Sequence, residues 1–358
     1  MMAESGAHPP INRLKHQIRL LTFDLLDDSR SLIHLTSRVY DLESCPRYTA
    51  LSYTWGDQHQ QHVIMLNSTE QHVGDNLFQA LKCLRRQFLR ELEDCLQDDH
   101  RRNYPKWRHI WIDALCIEQH NLDERSHQVQ LMGDIYRNAR QVAVFVGNDC
   151  ASLFTLIEKN GPYYLTNSDF TGKSSRRAGW TTFVTSSYWR RAWIIQEFLL
   201  AQSIVFISDR KTMRLESLIS FLRKLPAVAP KWSTADQERA MRRVLHRRED
   251  LIATGDSYSF LNLWGLLTDF RGARCREDND LVYSLLGLIN WDNTPHIQRL
   301  QVDYTVSRDD LAQQVIDLTR SALQQQHHIG QVAGLIAYFE DVWGYTARRL
   351  STLSSGSG

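Results

Sequence analysis

The 358-residue chain carries 42 basic and 41 acidic side chains, a formal net charge of +1, so no global field recruits nucleic acid or an acidic membrane. Hydrophobic residues at 42% and charged ones at 23% exclude a disordered chain, and no apolar run reaches the ~18 residues of a membrane-spanning helix. The six cysteines include no Cys-x-x-Cys pair, which argues against a zinc ribbon or a dense disulfide framework and points to a reducing compartment.

The first residues, Met1-Met2-Ala3-Glu4-Ser5-Gly6, have no signal-peptide core, so a soluble, cytoplasmic protein is expected. The length suits two domains, or one α/β domain with an appendage. Strand-like runs occur at Tyr48 to Tyr53, His62 to Leu66, His109 to Asp113, Val142 to Val146 and Ser203 to Ile207. Between them, Asp75 is placed to cap a helix with the apolar stripe Leu77, Leu81, Leu84 and Phe88. Asp123 or Ser126 is placed to start another carrying Val129, Met132 and Ile135. Strands separated by helices predict an α/β fold with a largely parallel sheet flanked by helices.

Glu91 to Lys106 is highly charged and reads as a helix end plus loop. Asn160 to Gly179, rich in Gly, Ser, Thr and Asn, reads as a long loop in which a lid could sit. Beyond Leu215 the pattern becomes mainly helical, and Ser354-Ser355-Gly356-Ser357-Gly358 reads as a flexible tail. The expected division is an N-terminal segment 1–47, a core 48–214, a helical C-terminal extension 215–350 and a tail 351–358. The basic runs at Lys173 to Arg177 and Arg242 to Arg248 read as solvated loop and helix faces rather than phosphate sites.

Glu197 stands out because it lies in an apolar, tryptophan-rich stretch, Tyr188 to Ala201. On a continuous helix Trp193 and Arg190 share its face. Contact with indoles strips hydration and raises a carboxyl pKa, whereas a guanidinium lowers it. Two readings stay open, a structural ion pair with Arg190 or Arg191 and a working carboxylate. Asp113 ends a predicted strand at the carboxyl edge of the sheet, where open α/β folds bind ligands. Cys116 reads as a small buried thiol, His120 as a solvated loop residue and Gly56 as a tight turn. No metal site is expected.

Three blocks carry a family resemblance: Tyr48 to Asp57 (YTALSYTWGD), Ile110 to Gln119 (IWIDALCIEQ) with the following Glu124 to Tyr136, and Tyr188 to Ala201. In this order they resemble the heterokaryon incompatibility (HET) domain of filamentous fungi. Asp278 to Leu288 and Val302 to Tyr304 resemble segments that follow that domain. One departure is Glu118-Gln119, where the family shows Asn-Gln. The resemblance implies a role in non-self recognition and programmed cell death.

A second, more distant resemblance is to TIR domains. Ser52-Tyr53 and Trp193-Ile194-Ile195-Gln196-Glu197 match the TIR strand-end pair and Trp-Cys-x-x-Glu motif, with Ile194 in place of the cysteine. It implies a TIR-like core, NAD as substrate and Glu197 as the catalytic carboxylate, with no bound prosthetic group. Breaking the nicotinamide–ribose bond builds positive charge on the ribose, which one carboxylate can stabilise because nicotinamide departs neutral. Trp55 and Trp193 offer stacking surfaces, although core packing is the alternative for each. Ser52, Asp57 and Asp113 offer polar contacts to a nucleotide. The rival reading is a non-catalytic, self-associating module that passes on a death signal. Either reading expects self-association and an activating protein.

Overall fold

The apolar runs around Thr49, Val142 and Ile204 become the buried centre of one sheet. A computed structural model describes residues 8–24, 32–97, 105–160, 175–224, 235–254, 258, 262–293, 297–323 and 329–345. Its strands are β1 (Gln17–Phe23), β2 (His34–Asp41), β3 (Thr49–Tyr53), β4 (Gln61–Leu66), β5 (Thr69–Gly74), β6 (Ile110–Trp111), β7 (Gln141–Phe145), β8 (Ile204–Ser208) and β9 (Lys211–Arg214). Among the described residues they form a nine-stranded sheet in the order β5-β4-β2-β1-β6-β3-β7-β8-β9.

The expectation of a largely parallel sheet needs correction, because the fold is mixed α/β. A parallel centre, β6-β3-β7-β8, pairs Thr49 with Ile110 and with Gln141, and Val142 with Ile204. The pairs β1–β2, β1–β6, β4–β5 and β8–β9 are antiparallel. Short connections explain much of this. Asn67 and Ser68, both at positive φ (50° and 65°), close the β4–β5 hairpin, and Asp209 at φ 47° turns β8 into β9. Such two-residue turns permit only antiparallel neighbours. All five residues of β3, β7 and β8 are buried, as expected of parallel strands covered on both faces.

Helix α1 (Asp75–Gln97) buries the predicted stripe Leu77, Leu81, Leu84 and Phe88. It runs into the charged segment predicted as a helix end, whose residues 98–104 lie outside the described residues. The expected strand at His109 to Asp113 shortens to Ile110–Trp111 because Asp113 opens α2 (Asp113–Cys116). Helix α3 (Leu122–Asn138) is capped by Asn121, not by Asp123 or Ser126: its side chain accepts from Glu124 N at 3.1 Å.

Helices α4 (Ala151–Asn160) and α5 (Ser175–Thr185) bracket the predicted loop. Residues 161–174 lie outside the described residues, as does the predicted tail, and Ser175 to Gly179 are helical rather than loop. After α6 (Ile194–Leu199) and the β8–β9 hairpin, the described structure is helical: α7 (Leu215–Lys224), α8 (Ala235–Thr254), α9 (Leu263–Asp269), α10 (Asp280–Leu286), α11 (Arg308–Leu323) and α12 (Ile329–Trp343).

The C-terminal helices are joined to the sheet by buried polar contacts. Arg248 of α8 donates to the carbonyls of Phe198 (2.6 Å), Leu199 (3.1 Å) and Ala201 (2.6 Å), closing the carboxyl end of α6 with a cation. Burial pulls this guanidinium down to about 10, with Glu216 opposing. Gly133 of α3 and Gly287 after α10 meet so closely that a Cβ at Gly287 would lie 2.7 Å from Gly133 Cα.

The segment before residue 48 contributes β1, whose Arg19 is completely buried. Its guanidinium holds both carboxylate oxygens of Glu124, with Nη2 to Oε2 at 2.9 Å, and donates to Cys116 O at 2.9 Å. Glu124 also accepts from Glu118 N at 2.8 Å, so the site that departs from the Asn-Gln pattern closes onto the same ion pair. Burial works to raise the Glu124 carboxyl, but the hydrogen bonds from Arg19 outweigh it and hold it below the usual range.

Breaking one half of this pair should be far worse than replacing both. We expect Arg19→Met to cost about 3–5 kcal/mol in urea unfolding, and Arg19→Met with Glu124→Leu to recover most of the loss. A cost below about 1 kcal/mol for Arg19→Met would show that the pair does not anchor β1.

Candidate functional site at the carboxyl edge of the parallel strands

Ser52 and Tyr53 end β3 and Asp113 follows β6, so all three stand at the carboxyl edge of the parallel centre. Glu197 reaches this edge from α6. The continuous helix expected through Arg190 and Glu197 does not form. Instead a 3-10 turn, Ser187–Arg190, and an extended Arg191 precede α6, with Trp193 at its N-cap. The break places Arg191, rather than Arg190, beside the carboxylate.

The Glu197 side chain is 2% exposed. Its Oε2 accepts a short hydrogen bond from Ser52 Oγ and lies 3.9 Å from Arg191 Nη1. Ser52 Oγ also lies 2.9 Å from the hydroxyl of Tyr188, in the 3-10 turn. Arg191 Nη1 donates to Tyr53 O, so one guanidinium joins the strand end to the helix. Asp113 closes the group: its Oδ2 accepts from Trp55 Nε1 at 3.0 Å and its Oδ1 from Ala114 N at 2.8 Å. Gln119 Nε2 donates to Asp113 O at 2.9 Å.

Two carboxyl groups, Glu197 buried and Asp113 partly exposed, thus act on one guanidinium. Burial is the largest influence on Glu197 and raises its pKa to about 7; Arg191 and Ser52 oppose this, and the Asp113 charge adds to it. Burial also raises Asp113, against Arg191 and Trp55. Burial works to lower the Arg191 pKa, but Glu197 and Asp113 outweigh it, so this guanidinium stays charged. The tyrosines Tyr53, Tyr136 and Tyr188 are pushed upward by burial and remain neutral. Near pH 7 Glu197 is therefore poised between carboxyl and carboxylate.

Of the six predicted positions, Glu197 and Ser52 meet directly, and Trp55 and Asp113 form a second pair linked to them electrostatically through Arg191. Asp57 does not join them. It is exposed, and its Oδ1 accepts from His59 N at 2.9 Å within its own turn. Trp193 is also held elsewhere: its indole bonds Asp280, which accepts from Tyr304 Oη at 2.8 Å. Tyr188 completes the cluster without a spacing signal, since Ser52 is remote in sequence, and Tyr53 joins it through its backbone carbonyl, which accepts from Arg191. Cys116 is a buried thiol, pushed up to about 12 by burial, and His120 is exposed. Among the described residues, no group of three or more His, Cys, Asp or Glu side chains is placed to hold a metal.

The raised Glu197 pKa sets a sign for stability. The unfolded carboxyl ionises near its ordinary value of 4.5 and the folded one near 7, so stability is lost as pH rises through this window. Between pH 5 and pH 8 we expect wild type to lose about 2–3 kcal/mol that Glu197→Gln keeps, read as the difference between their urea unfolding curves. A pH-independent difference would place the Glu197 pKa outside this range.

Residues 48–197 match the family model described as heterokaryon incompatibility protein (HET). The chain is also similar to heterokaryon incompatibility protein 6, OR allele, of Neurospora crassa, with 28% identity over 222 residues. That alignment covers 50% of this chain and 31% of the relative, so the chain spans about a third of the relative it matches. No solved structure matches the chain. The family match begins one residue before β3 and ends on Glu197, so the whole cluster of Ser52, Asp113, Tyr188, Arg191 and Glu197 lies within the region that resembles the heterokaryon incompatibility family.

Proposed function

We propose that this protein acts in heterokaryon incompatibility as a cell-death effector, and that its chemistry is hydrolysis of NAD at the nicotinamide–ribose bond. The observation that carries this reading is the hydrogen bond from Ser52 to Glu197, two residues 145 apart in sequence. They are the two positions that the TIR resemblance selects for a strand-end contact and a catalytic carboxylate. Their meeting at the carboxyl edge of parallel strands supports a TIR-like active site.

In this mechanism the bond from ribose C1′ to the nicotinamide nitrogen breaks, and its electron pair leaves with neutral nicotinamide. Glu197, as carboxylate, faces the positive charge that develops on the ribose. Water adds to C1′ and releases its proton. Ser52 and Tyr188 hold Glu197 in position, and Arg191 favours its ionised form. Asp113 and Trp55 lie at the same edge as further contacts to the nucleotide.

Glu197 is covered in the described arrangement, so turnover requires the Ser52–Glu197–Arg191 contacts to open toward the substrate. Self-association, or an activating protein, is the proposed trigger, in the cytoplasm. Among the described residues no helix is long and apolar enough to cross a membrane. The same coverage, 2% exposure of the side chain, favours one second reading: a non-catalytic signalling module in which Glu197 serves the fold.

The two readings part on Glu197→Gln. We expect the variant to keep its fold by circular dichroism, to lose cell death on expression, and to release nicotinamide at least about 100-fold more slowly than concentrated wild type. A folded variant that still kills would favour the signalling module. Wild type that releases no nicotinamide at any concentration, including those at which it self-associates, would remove the hydrolase reading.

A further inference from the structure

A cleft of about 280 Å³ opens between the 3-10 turn before α6, helix α8 and the turn after α9. Its twelve lining residues include five arginines, Arg190, Arg191, Arg239, Arg243 and Arg271, and no carboxylate. On a chain of net charge +1 such a concentration is not a consequence of overall composition. We infer that this cleft is a binding site for a phosphate-bearing small molecule, taking its phosphate or diphosphate group.

The arginines come from separate parts of the chain. Arg239 and Arg243 stand at i and i+4 of α8, on one face, where like charges repel. Arg190 comes from the 3-10 turn and Arg271 from the end of α9. They are held in apposition by backbone: Ala192 N donates to Arg274 O at 2.9 Å, and Arg274 N to Arg190 O at 2.5 Å. The fold thus gathers cations at a seam it has tied shut, and an anion in the cleft would relieve the repulsion.

Neutralisation within the protein is uneven. Arg271 pairs with Asp341, and Arg191 turns its guanidinium to Glu197 and Tyr53. Within the basic run of α8, Arg242 pairs with Glu238, Arg247 with Asp269, and Arg248 is buried against α6. Arg190 and Arg243 pair with no carboxylate among the described residues, and both line the cleft. The run is therefore not a uniform solvated face, since its members are committed to different tasks.

Size and chemistry narrow the ligand. The volume lies just below the range of about 300–1,000 Å³ typical of small-molecule pockets, enough for a diphosphate with part of its carrier. Guanidinium groups suit phosphate oxygens because their N–H forks make paired, charge-assisted hydrogen bonds. Trp189 and Phe270 supply an apolar wall. The inference goes beyond the proposed hydrolysis and does not depend on it, because Glu197 is not among the lining residues.

Isothermal titration of the whole chain with inorganic pyrophosphate tests the site, with ADP as a second probe for a nucleoside carrier. We expect saturable binding that weakens with salt, and at least about a tenfold rise in Kd for Arg190→Gln and for Arg243→Gln. Arg308→Gln, which removes an exposed arginine outside the lining set, should leave Kd unchanged. Tighter binding of ADP would identify a nucleotide, and tighter binding of pyrophosphate a free diphosphate. Absence of binding by both probes, or equal weakening in all three folded variants, would overturn the inference. Loss of nicotinamide release alone would not, because the titration does not read Glu197.

Discussion

The burial of Glu197, with the Arg191 guanidinium beside it and the Asp113 charge acting on both, is the constraint around which the site is organised. Two ionised carboxylates and one Arg191 leave an excess negative charge on the fully buried Glu197, which is costly. The protein meets the cost in two ways. Ser52 donates directly to Glu197, and the Glu197 pKa rises until its proton is only half lost near neutrality. A carboxyl held in this balance responds to small changes in its surroundings.

The surrounding elements keep that balance in place. Residue Ser52 is fixed by a strand paired on both sides, and Tyr136 of α3 donates to Leu51 O at 3.0 Å beside it. Helix α6 is only six residues long, so propensity alone would not hold it. Arg248 closes its carboxyl end from α8, and the Arg191–Arg274 bridge ties its approach to the turn after α9. The C-terminal helices are thus part of the support of Glu197. At the other end of the chain, Arg19 clamps α3 through Glu124, which links the first strand to the same scaffold.

Legibility in the sequence follows from where the physical signal lies. Strands β3, β7 and β8 are readable because strands buried on both faces are continuous apolar runs. Strand β5, with Thr69-Glu70-Gln71-His72, and β9, with Lys211-Thr212-Met213-Arg214, lie at the two edges and carry polar residues, so no such run marks them. Their hairpins, together with the antiparallel β1 against β2 and β6, make the sheet mixed. For the site, motif resemblance brings out Ser52 and Glu197, and of the two candidate cations, Arg190 and Arg191, the geometry places Arg191 beside the carboxylate. Helical periodicity points instead to Arg190, and the 3-10 turn breaks that periodicity. Asp57 and Trp193 belong to the same motifs yet turn to His59 and Asp280, because a motif fixes backbone neighbourhood and not side-chain direction.

The account turns on Glu197 being a buried carboxyl that changes charge near neutral pH. Carbon-13 labelling of the glutamate side-chain carboxyls, followed by NMR titration of wild type and of Glu197→Gln, reads that charge directly. A carboxyl resonance that titrates near pH 7 in wild type and is missing from the variant is the predicted result. A Glu197 resonance that remains fully ionised down to pH 5 would contradict it, and would leave Arg191 and Glu197 as an ordinary structural ion pair.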